Sequence, residues 1–205
     1  MKEISKRIVL TGGPGGGKST LIRELQSDPE WSDRFIILPE AISLMGGVGI
    51  SPNEQRFQRV MVHLQIALED GLAHALEDDQ THAILCHRGS LDPLAYWLDR
   101  GWTREKFCKF TSTTLNEHYQ RYSAVIHLVT AADGASAHYA RWPEAHRPET
   151  IEDAVRIDRL LQQVWGSHPA YYRLDNKHCD WAAKSRKARA ILTHLLQFNP
   201  SEQPQ

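Results

Sequence analysis

Short apolar runs alternate with longer amphipathic stretches along most of the chain. Runs of four or five mainly apolar, β-favouring residues predict buried strands at residues 7–11, 35–38, 83–86, 125–129 and 171–175. Between these runs, apolar residues recur at helical spacing, most clearly over residues 51–78. Strands that alternate with helices predict an α/β fold, in which a five-stranded parallel sheet carries helices on both faces.

Local signals predict where the other helices and the long loops lie. Further helices are predicted from residue 19 onwards and over residues 91–98, 103–119, 150–167 and 180–198. The last two begin at candidate caps, since Thr150-Ile151-Glu152-Asp153 resembles a capping box and Asp180 precedes the final helix. The glycine-rich residues 45–50 and the stretch 132–148 are predicted to be loops.

A phosphate-binding motif joins the first strand to the first helix. Residues 12–19 read Gly-Gly-Pro-Gly-Gly-Gly-Lys-Ser, which fits the P-loop pattern G-x-x-x-x-G-K-[ST]. Glycines allow successive amides to face an anion, and the following helix adds its positive dipole end. Lys18 is expected to reach the β- and γ-phosphates of ATP or GTP, and the Ser19 hydroxyl to bind Mg²⁺. The expected nucleotide contacts are Gly13, Pro14, Gly15, Gly16, Gly17, Lys18, Ser19 and Thr20.

Composition narrows the class of protein. A chain of 205 residues is long enough for one domain, predicted over residues 1–198, with a disordered tail over 199–205. A net charge of −1 argues against general binding to nucleic acid or to a membrane surface. Three widely spaced cysteines and an early first strand predict a reducing compartment without a signal peptide, and therefore a cytoplasmic protein.

One edge of the predicted sheet collects the polar residues that suit a binding site. Ligands of parallel sheets bind beyond the carboxyl ends of the strands. Glu40 follows the second strand, His87 and Arg88 follow the third, and Arg141 and Arg147 follow the fourth. We therefore expect these residues to lie near the P-loop. On the long helix, the candidates for lining the pocket of an acceptor molecule are Phe57, Gln58, Arg59 and His63, although four neighbours on a helix include core and surface faces alike.

The chain resembles the P-loop kinase-like domains of the AAA-type ATPase/kinase family linked to NAD metabolism, the nicotinamide riboside kinase-like domains. It is similar, more distantly, to nucleoside and nucleotide kinases. The resemblance rests on residues 9–20, on Pro39-Glu40-Ala41, on residues 88–96 (Arg-Gly-Ser-Leu-Asp-Pro-Leu-Ala-Tyr), and on Arg147-Pro148-Glu149 with Ala154, Asp158 and Trp165. One position departs from the pattern: His87 stands where the family usually has an acid that helps to hold Mg²⁺.

The resemblance implies roles for the residues at the sheet edge. Glu40 would accept the proton of the attacking hydroxyl, unless it only caps the next segment or pairs with an arginine. Arg88 would hold a substrate hydroxyl, a phosphate or Glu40, with a structural ion pair to Asp92 as the alternative. Asp92 is the remaining candidate for metal or substrate contact, and helix capping is its other interpretation.

Arg141 and Arg147 lie in the long stretch between the fourth strand and the next helix. Kinases of this type close a lid in that region, and its arginines neutralise charge on the phosphoryl group in transfer. A solvated, charged loop is the alternative.

The leading hypothesis is therefore a cytoplasmic enzyme that transfers the γ-phosphoryl group of ATP or GTP to a hydroxyl of a small, nucleoside-like molecule. A nucleotide-binding regulator that signals to a partner is the alternative. A kinase acting on an RNA end is disfavoured, because phosphate-backbone binding requires a basic stripe. The identity of the acceptor, the choice between ATP and GTP and the oligomeric state stay open.

Overall fold

The sheet consists of five short strands, all parallel. The computed structural model describes residues 6–45, 49–79, 81–139, 149–177 and 180–197. The strands lie in the order β2-β3-β1-β4-β5. Their bounds are β1 (Arg7–Thr11), β2 (Phe35–Leu38), β3 (Ala83–His87), β4 (Ala124–Leu128) and β5 (Tyr171–Leu174). Both the parallel sheet and its five strands confirm the prediction, because strands buried on both faces are apolar without alternation.

Helices connect the strands and cover both faces of the sheet. A 3₁₀ helix (Ala41–Met45) follows β2. The α-helices within the described residues are α1 (Lys18–Ser27), α2 (Pro29–Ser32), α3 (Gln55–Ala75), α4 (Asp92–Asp99), α5 (Arg104–Thr111), α6 (Leu115–Gln120), α7 (Ser136–Tyr139), α8 (Ile151–Trp165) and α9 (Trp181–Gln197). None of them is both long and apolar enough to cross a membrane.

Successive residues of β1 belong to two different cores. Val9 packs in a cluster that contains Trp97 of α4 and Trp165 of α8. Ile8 and Leu10 pack in the other cluster, with side chains of α1 and α9. Because neighbouring residues of a strand point to opposite faces, this division confirms that helices cover both faces of the sheet.

The order of the strands brings the polar segments to one edge. The central strand β1 pairs with β3 on one side and β4 on the other, with Leu10 opposite His87 and Thr11 opposite His127. The P-loop, Glu40 and Arg88 follow the carboxyl ends of β1, β2 and β3. In an open parallel sheet, ligands bind in the crevice at this end, where the direction of winding reverses.

The prediction of one helix over 103–119 is wrong. The chain forms α5 and α6 instead, because Ser112 takes the left-handed conformation with φ 56° and ends α5. Thr114 then starts α6 with a capping box, in which its hydroxyl accepts from the Glu117 amide and Glu117 accepts from the Thr114 amide. The apolar spacing of this stretch spans both helices, so periodicity alone does not reveal the break.

Four other segments bear on the sequence predictions. Thr150 and Asp153 form the capping box that was predicted for α8. Within the predicted loop 132–148, the described part contains the short helix α7, while residues 140–148 lie outside the described residues. Residues 46–48 of the glycine-rich stretch and the tail 199–205 also lie outside them.

Candidate active site

The P-loop packs tightly between the end of β4 and helix α9. A Cβ atom at Gly16 would lie 2.3 Å from the carbonyl oxygen of Leu128. Gly17 has φ +94°, and a Cβ there would lie 2.2 Å from the Trp181 ring. Glycine is therefore required at both positions, since a side chain would move the loop off β4 or off Trp181. Alternation of handedness in such a loop turns successive amides towards an anion.

Lys18 is buried at the start of α1 and has no anion in direct contact among the described residues. Its Nζ donates to the carbonyl oxygens of Gly12 and Gly13, at 2.6 and 3.0 Å. Burial lowers the pKa of Lys18 from 10.5 to about 7, and the nearby Arg88 adds to the lowering. A phosphate group at this position would stabilise the charged form of the lysine.

Arg88 joins two carboxylates at the carboxyl ends of β2 and β3. Its Nε donates to Glu40 Oε1, and its Nη1 donates to Asp92 Oδ2 at 3.3 Å. The backbone of Arg88 is left-handed, with φ 75°, and its carbonyl oxygen accepts from Gln65 Nε2 at 3.2 Å. An arginine held in this sparsely populated conformation is a feature that clusters at functional sites.

The charges around Glu40 keep it ionised. Burial raises the pKa of Glu40, but the positive charge of Arg88 and the neighbouring His87 and Lys18 lower it more. The resulting pKa is therefore below the usual 4.5. Among the described residues, Arg88 engages only Oε1 of this carboxylate. Oε2 is thus available as a proton acceptor. The ion pair with an arginine, which the sequence offered as an alternative role of Glu40, is also present.

Asp92 is a buried hub of hydrogen bonds. Its side chain accepts from Thr11 Oγ1 at 2.9 and 3.0 Å and from Trp165 Nε1 at 2.8 Å, in addition to Arg88. Asp92 is 2% exposed and is the first residue of α4, so the ion pair with Arg88 that was weighed from the sequence is present. These donors occupy both carboxylate oxygens, and a metal-binding role for Asp92 stays a prediction.

A second buried carboxylate, Asp158 of α8, accepts a hydrogen bond from the P-loop backbone. Its Oδ1 accepts from the Gly13 amide at 2.7 Å, from the Thr130 amide at 3.0 Å and contacts His127 Nε2 at 3.1 Å. Its Oδ2 accepts from Gln162 Nε2 at 2.7 Å. One side chain thus connects the P-loop, the end of β4 and α8.

His87 is the last residue of β3 and lies beside Glu40 and Lys18. Burial lowers the pKa of His87 from 6.5 to about 4, so the imidazole is neutral at physiological pH. Its Nε2 is buried and has no hydrogen-bond partner among the described residues. The position that carries an acid in the related family therefore carries a neutral ring.

A single cavity joins the P-loop to the Glu40–Arg88 pair. Its volume is about 720 Å³, within the range of small-molecule sites. Lys18 and Ser19 lie at one end, and the apolar side chains of α3 and the 3₁₀ helix form other walls. Further polar lining comes from Asn53, Gln58, Gln65, Tyr96, Arg100 and Glu149.

This geometry agrees with comparisons to known proteins. A family profile described as an AAA domain matches residues 7–184. The chain belongs to this AAA domain family. No curated protein matches it significantly. A solved structure of deoxyadenosine kinase from M. mycoides with bound dCTP superposes with a TM-score of 0.54, covering 92% of this chain and 99% of that chain at 14% sequence identity. At this identity the likeness shows a shared fold.

In this AAA-domain protein, the residues predicted from the sheet edge lie together. Lys18, Ser19, Glu40, Arg88 and Asp92 all line the one cavity. The lid residues Arg141 and Arg147 lie outside the described residues, and their role stays a prediction.

On α3 the structure separates the pocket candidates into two pairs. Phe57 and Gln58 line the cavity. Arg59 instead packs over the Phe110 ring, with 5.3 Å from its guanidinium carbon to the ring centroid, and His63 is exposed.

The sequence assigned no role to some residues of the site, although Asp158 and Tyr96 belong to the segments that carry the resemblance. The contact of Asp158 with the P-loop bridges 145 positions of the chain, and no local pattern indicates it. Tyr96 and Arg100 line the cavity from α4 and its C-cap, and their four-residue spacing on one helix was the available signal.

The site fits a nucleotide with a bound divalent ion. Among the described residues Lys18 has no carboxylate in direct contact, and the P-loop packs against Leu128 with glycines at its close approaches. Among the described residues, no group of three or more histidine, cysteine or acidic side chains is placed to hold a metal by itself. Ser19 and the nucleotide phosphates would therefore share the ion.

Proposed function

We propose that this protein transfers the γ-phosphoryl group of ATP or GTP to a hydroxyl of a small, nucleoside-like molecule. The observation that carries the proposal is the shared cavity, in which the P-loop lysine and the Glu40–Arg88 pair face a space of about 720 Å³. A phosphate donor at Lys18 leaves room for a small acceptor against Phe57 and Gln58. The AAA domain family and the kinase fold support nucleotide-dependent chemistry.

Glu40 supplies the base in this proposal. It is ionised because the positive charge of Arg88, together with its other basic neighbours, outweighs the effect of burial on its pKa. As the acceptor oxygen forms its bond to the γ-phosphorus, the bond from phosphorus to the bridging oxygen breaks and the nucleoside diphosphate leaves. The proton of the hydroxyl passes to Glu40 Oε2.

Cationic side chains hold the phosphates and the base in position. Lys18 binds the β- and γ-phosphates, and Arg88 orients Glu40 while it is itself anchored by Asp92. Arg141 and Arg147 neutralise the charge of the transferring group. Ser19 would hold Mg²⁺, which when bound neutralises phosphate charge and orients the γ-phosphoryl group.

A substrate screen tests the proposed reaction. Nucleosides, nucleotides and vitamin-like alcohols are offered with isotopically labelled ATP or GTP, and phosphorylated products are identified by mass. Transfer to one class of acceptor supports the proposal, and binding of nucleotide without transfer to any of them contradicts it.

The substitution Glu40→Gln then tests the assignment of the base. It keeps the shape of the side chain but removes the basic oxygen, so kcat should fall by about 10²-fold or more while nucleotide affinity is retained. Glu105→Gln, an exposed change in the first turn of α5, is the matched control and should leave kcat unchanged. Unaltered transfer by Glu40→Gln would place the base elsewhere, with Asp92 as the next candidate.

A nucleotide-binding regulator is the second candidate function, and His87 is the observation that favours it. A neutral ring at the position of an acid weakens the case for full metal-assisted catalysis. In a regulator, nucleotide would change the protease sensitivity of residues 44–58 and 132–148 without any phosphoryl transfer.

A further inference from the structure

The carboxylates around the P-loop are already engaged by protein donors. Glu40 accepts from Arg88, and Asp92 accepts from Thr11, Trp165 and Arg88. Asp158 accepts from two backbone amides and from Gln162. A cation that bound to Asp92 or Asp158 would have to displace donors that are buried with them, while the free Oε2 of Glu40 is the oxygen assigned to the proposed base.

The imidazole of His87, by contrast, is uncommitted. Nε2 has no partner among the described residues, and the ring lines the same cavity as Ser19. His87 also pairs with Leu10 in the sheet, and Leu10 lies two residues before Gly12, where the P-loop begins. His87 therefore brings an uncommitted ring nitrogen to the cavity that contains the predicted metal-binding hydroxyl.

The type of ligand decides which cation is favoured. Mg²⁺ is a hard ion that binds oxygen and keeps its waters, whereas imidazole suits the later first-row metals, such as Ni²⁺, Cu²⁺ and Zn²⁺. A neutral ring also brings no negative charge, which removes the electrostatic advantage that a carboxylate gives to Mg²⁺.

We propose that His87 supplies a nitrogen ligand to the nucleotide-bound divalent cation, so that the site prefers later transition-metal dications such as Co²⁺ over Mg²⁺. The inference rests on the proposed function in one respect, namely that a metal–nucleotide complex binds at the P-loop. It does not depend on phosphoryl transfer.

Electron spin echo envelope modulation spectroscopy tests the ligand directly. Mn²⁺ is added to the full-length protein with a non-hydrolysable ATP analogue, and the histidines carry either ¹⁴N or ¹⁵N in the ring. We expect a nitrogen coupling that follows the histidine isotope. The substitution His87→Gln should abolish the coupling, and His63→Gln, at an exposed position of α3, should leave it intact.

A metal competition provides a second measurement and a variant of different chemistry. The substitution His87→Asp should shift the ratio of Co²⁺- to Mg²⁺-supported nucleotide affinity towards Mg²⁺ by about tenfold or more, measured by calorimetry. This variant also restores the acid of the related family, so its Mg²⁺-dependent activity should rise. Thermal unfolding of both variants shows whether the fold is retained.

The outcomes separate this inference from the proposed function. Bound Mn²⁺–nucleotide without histidine coupling, or an unchanged Co²⁺ to Mg²⁺ ratio in His87→Asp, overturns the nitrogen ligand and leaves the kinase proposal standing. Failure of the wild-type protein to bind any metal–nucleotide complex overturns both.

Discussion

We expect Asp158 to contribute more to the free energy of unfolding than any other side chain outside the cavity, because it accepts hydrogen bonds from several buried donors at once. The substitution Asp158→Ala removes the acceptor for the amides of Gly13 and Thr130, and for His127 Nε2. The side chain is 1% exposed, so water does not replace it freely. Each buried donor left without a partner costs about 1–3 kcal/mol.

Summed over the three donors, the loss in the free energy of unfolding is roughly 3–9 kcal/mol. Since domains of this kind are stable by about 5–15 kcal/mol, the variant should be marginal. Asp158→Asn keeps an oxygen that can meet the same donors and loses mainly the charge, so its cost should be smaller, about 1–2 kcal/mol. Urea unfolding followed by far-UV circular dichroism measures both, with the exposed Asp33→Asn as the control.

The pH dependence gives a sign that tests the same reasoning. Burial raises the pKa of Asp158, but the hydrogen bond from His127 and the other donors lower it more, to a net value below 3.8. A carboxylate whose folded pKa is lowered stabilises the fold above its unfolded pKa, and loses that effect as the pH falls through the folded value. The stability gap between wild type and Asp158→Asn should therefore be constant above pH 5 and narrow below about pH 4.

Two results would refute this account. Equal urea midpoints for Asp158→Ala and wild type would show that the donors find other partners. A normal affinity for nucleotide in a destabilised Asp158→Asn would show that the carboxylate holds α8 to the sheet without ordering Gly13.

Two further predictions concern the charges that face the phosphates. A neutral Lys18 must gain a proton to bind phosphate, so the affinity for ADP in EDTA should fall by up to about tenfold per pH unit above pH 7. Calorimetry in buffers of different ionisation enthalpy should show proton uptake on binding. The substitution Lys18→Arg should abolish this uptake. If Arg141 and Arg147 act in the transition state, replacing either by alanine should lower kcat more than it raises KM in steady-state assays, and a change confined to KM would indicate ground-state binding only.

The sequence predicted the sheet well because its signal is simple. All five strands are fully or largely apolar and are separated by amphipathic segments, and a parallel sheet follows from that alternation. The failure at 103–119 has an equally local cause. Ser112 in a left-handed conformation ends α5, and a serine at a helix end has no strong signal of its own, whereas glycine would have had one.

The candidate site was predictable where a strand end determined it. Lys18, Glu40 and Arg88 each follow the carboxyl end of a strand, and the rule for parallel sheets places such residues together. The rule gives no information on which carboxylate oxygens already accept hydrogen bonds from the protein. From the sequence, Asp92 was a candidate for metal contact. Its hydrogen-bond donors include Trp165, 73 positions away, which no pattern around residue 92 could indicate.

Helix α8 explains why the two halves of the cavity keep their relation to each other. Asp158 on this helix binds the P-loop amide of Gly13, and Trp165 on the same helix donates to Asp92, which anchors Arg88 and through it Glu40. The two side chains are seven residues apart, about two turns, and so lie on the same face of the helix. The phosphate cradle and the proposed base are thus held by one rigid element.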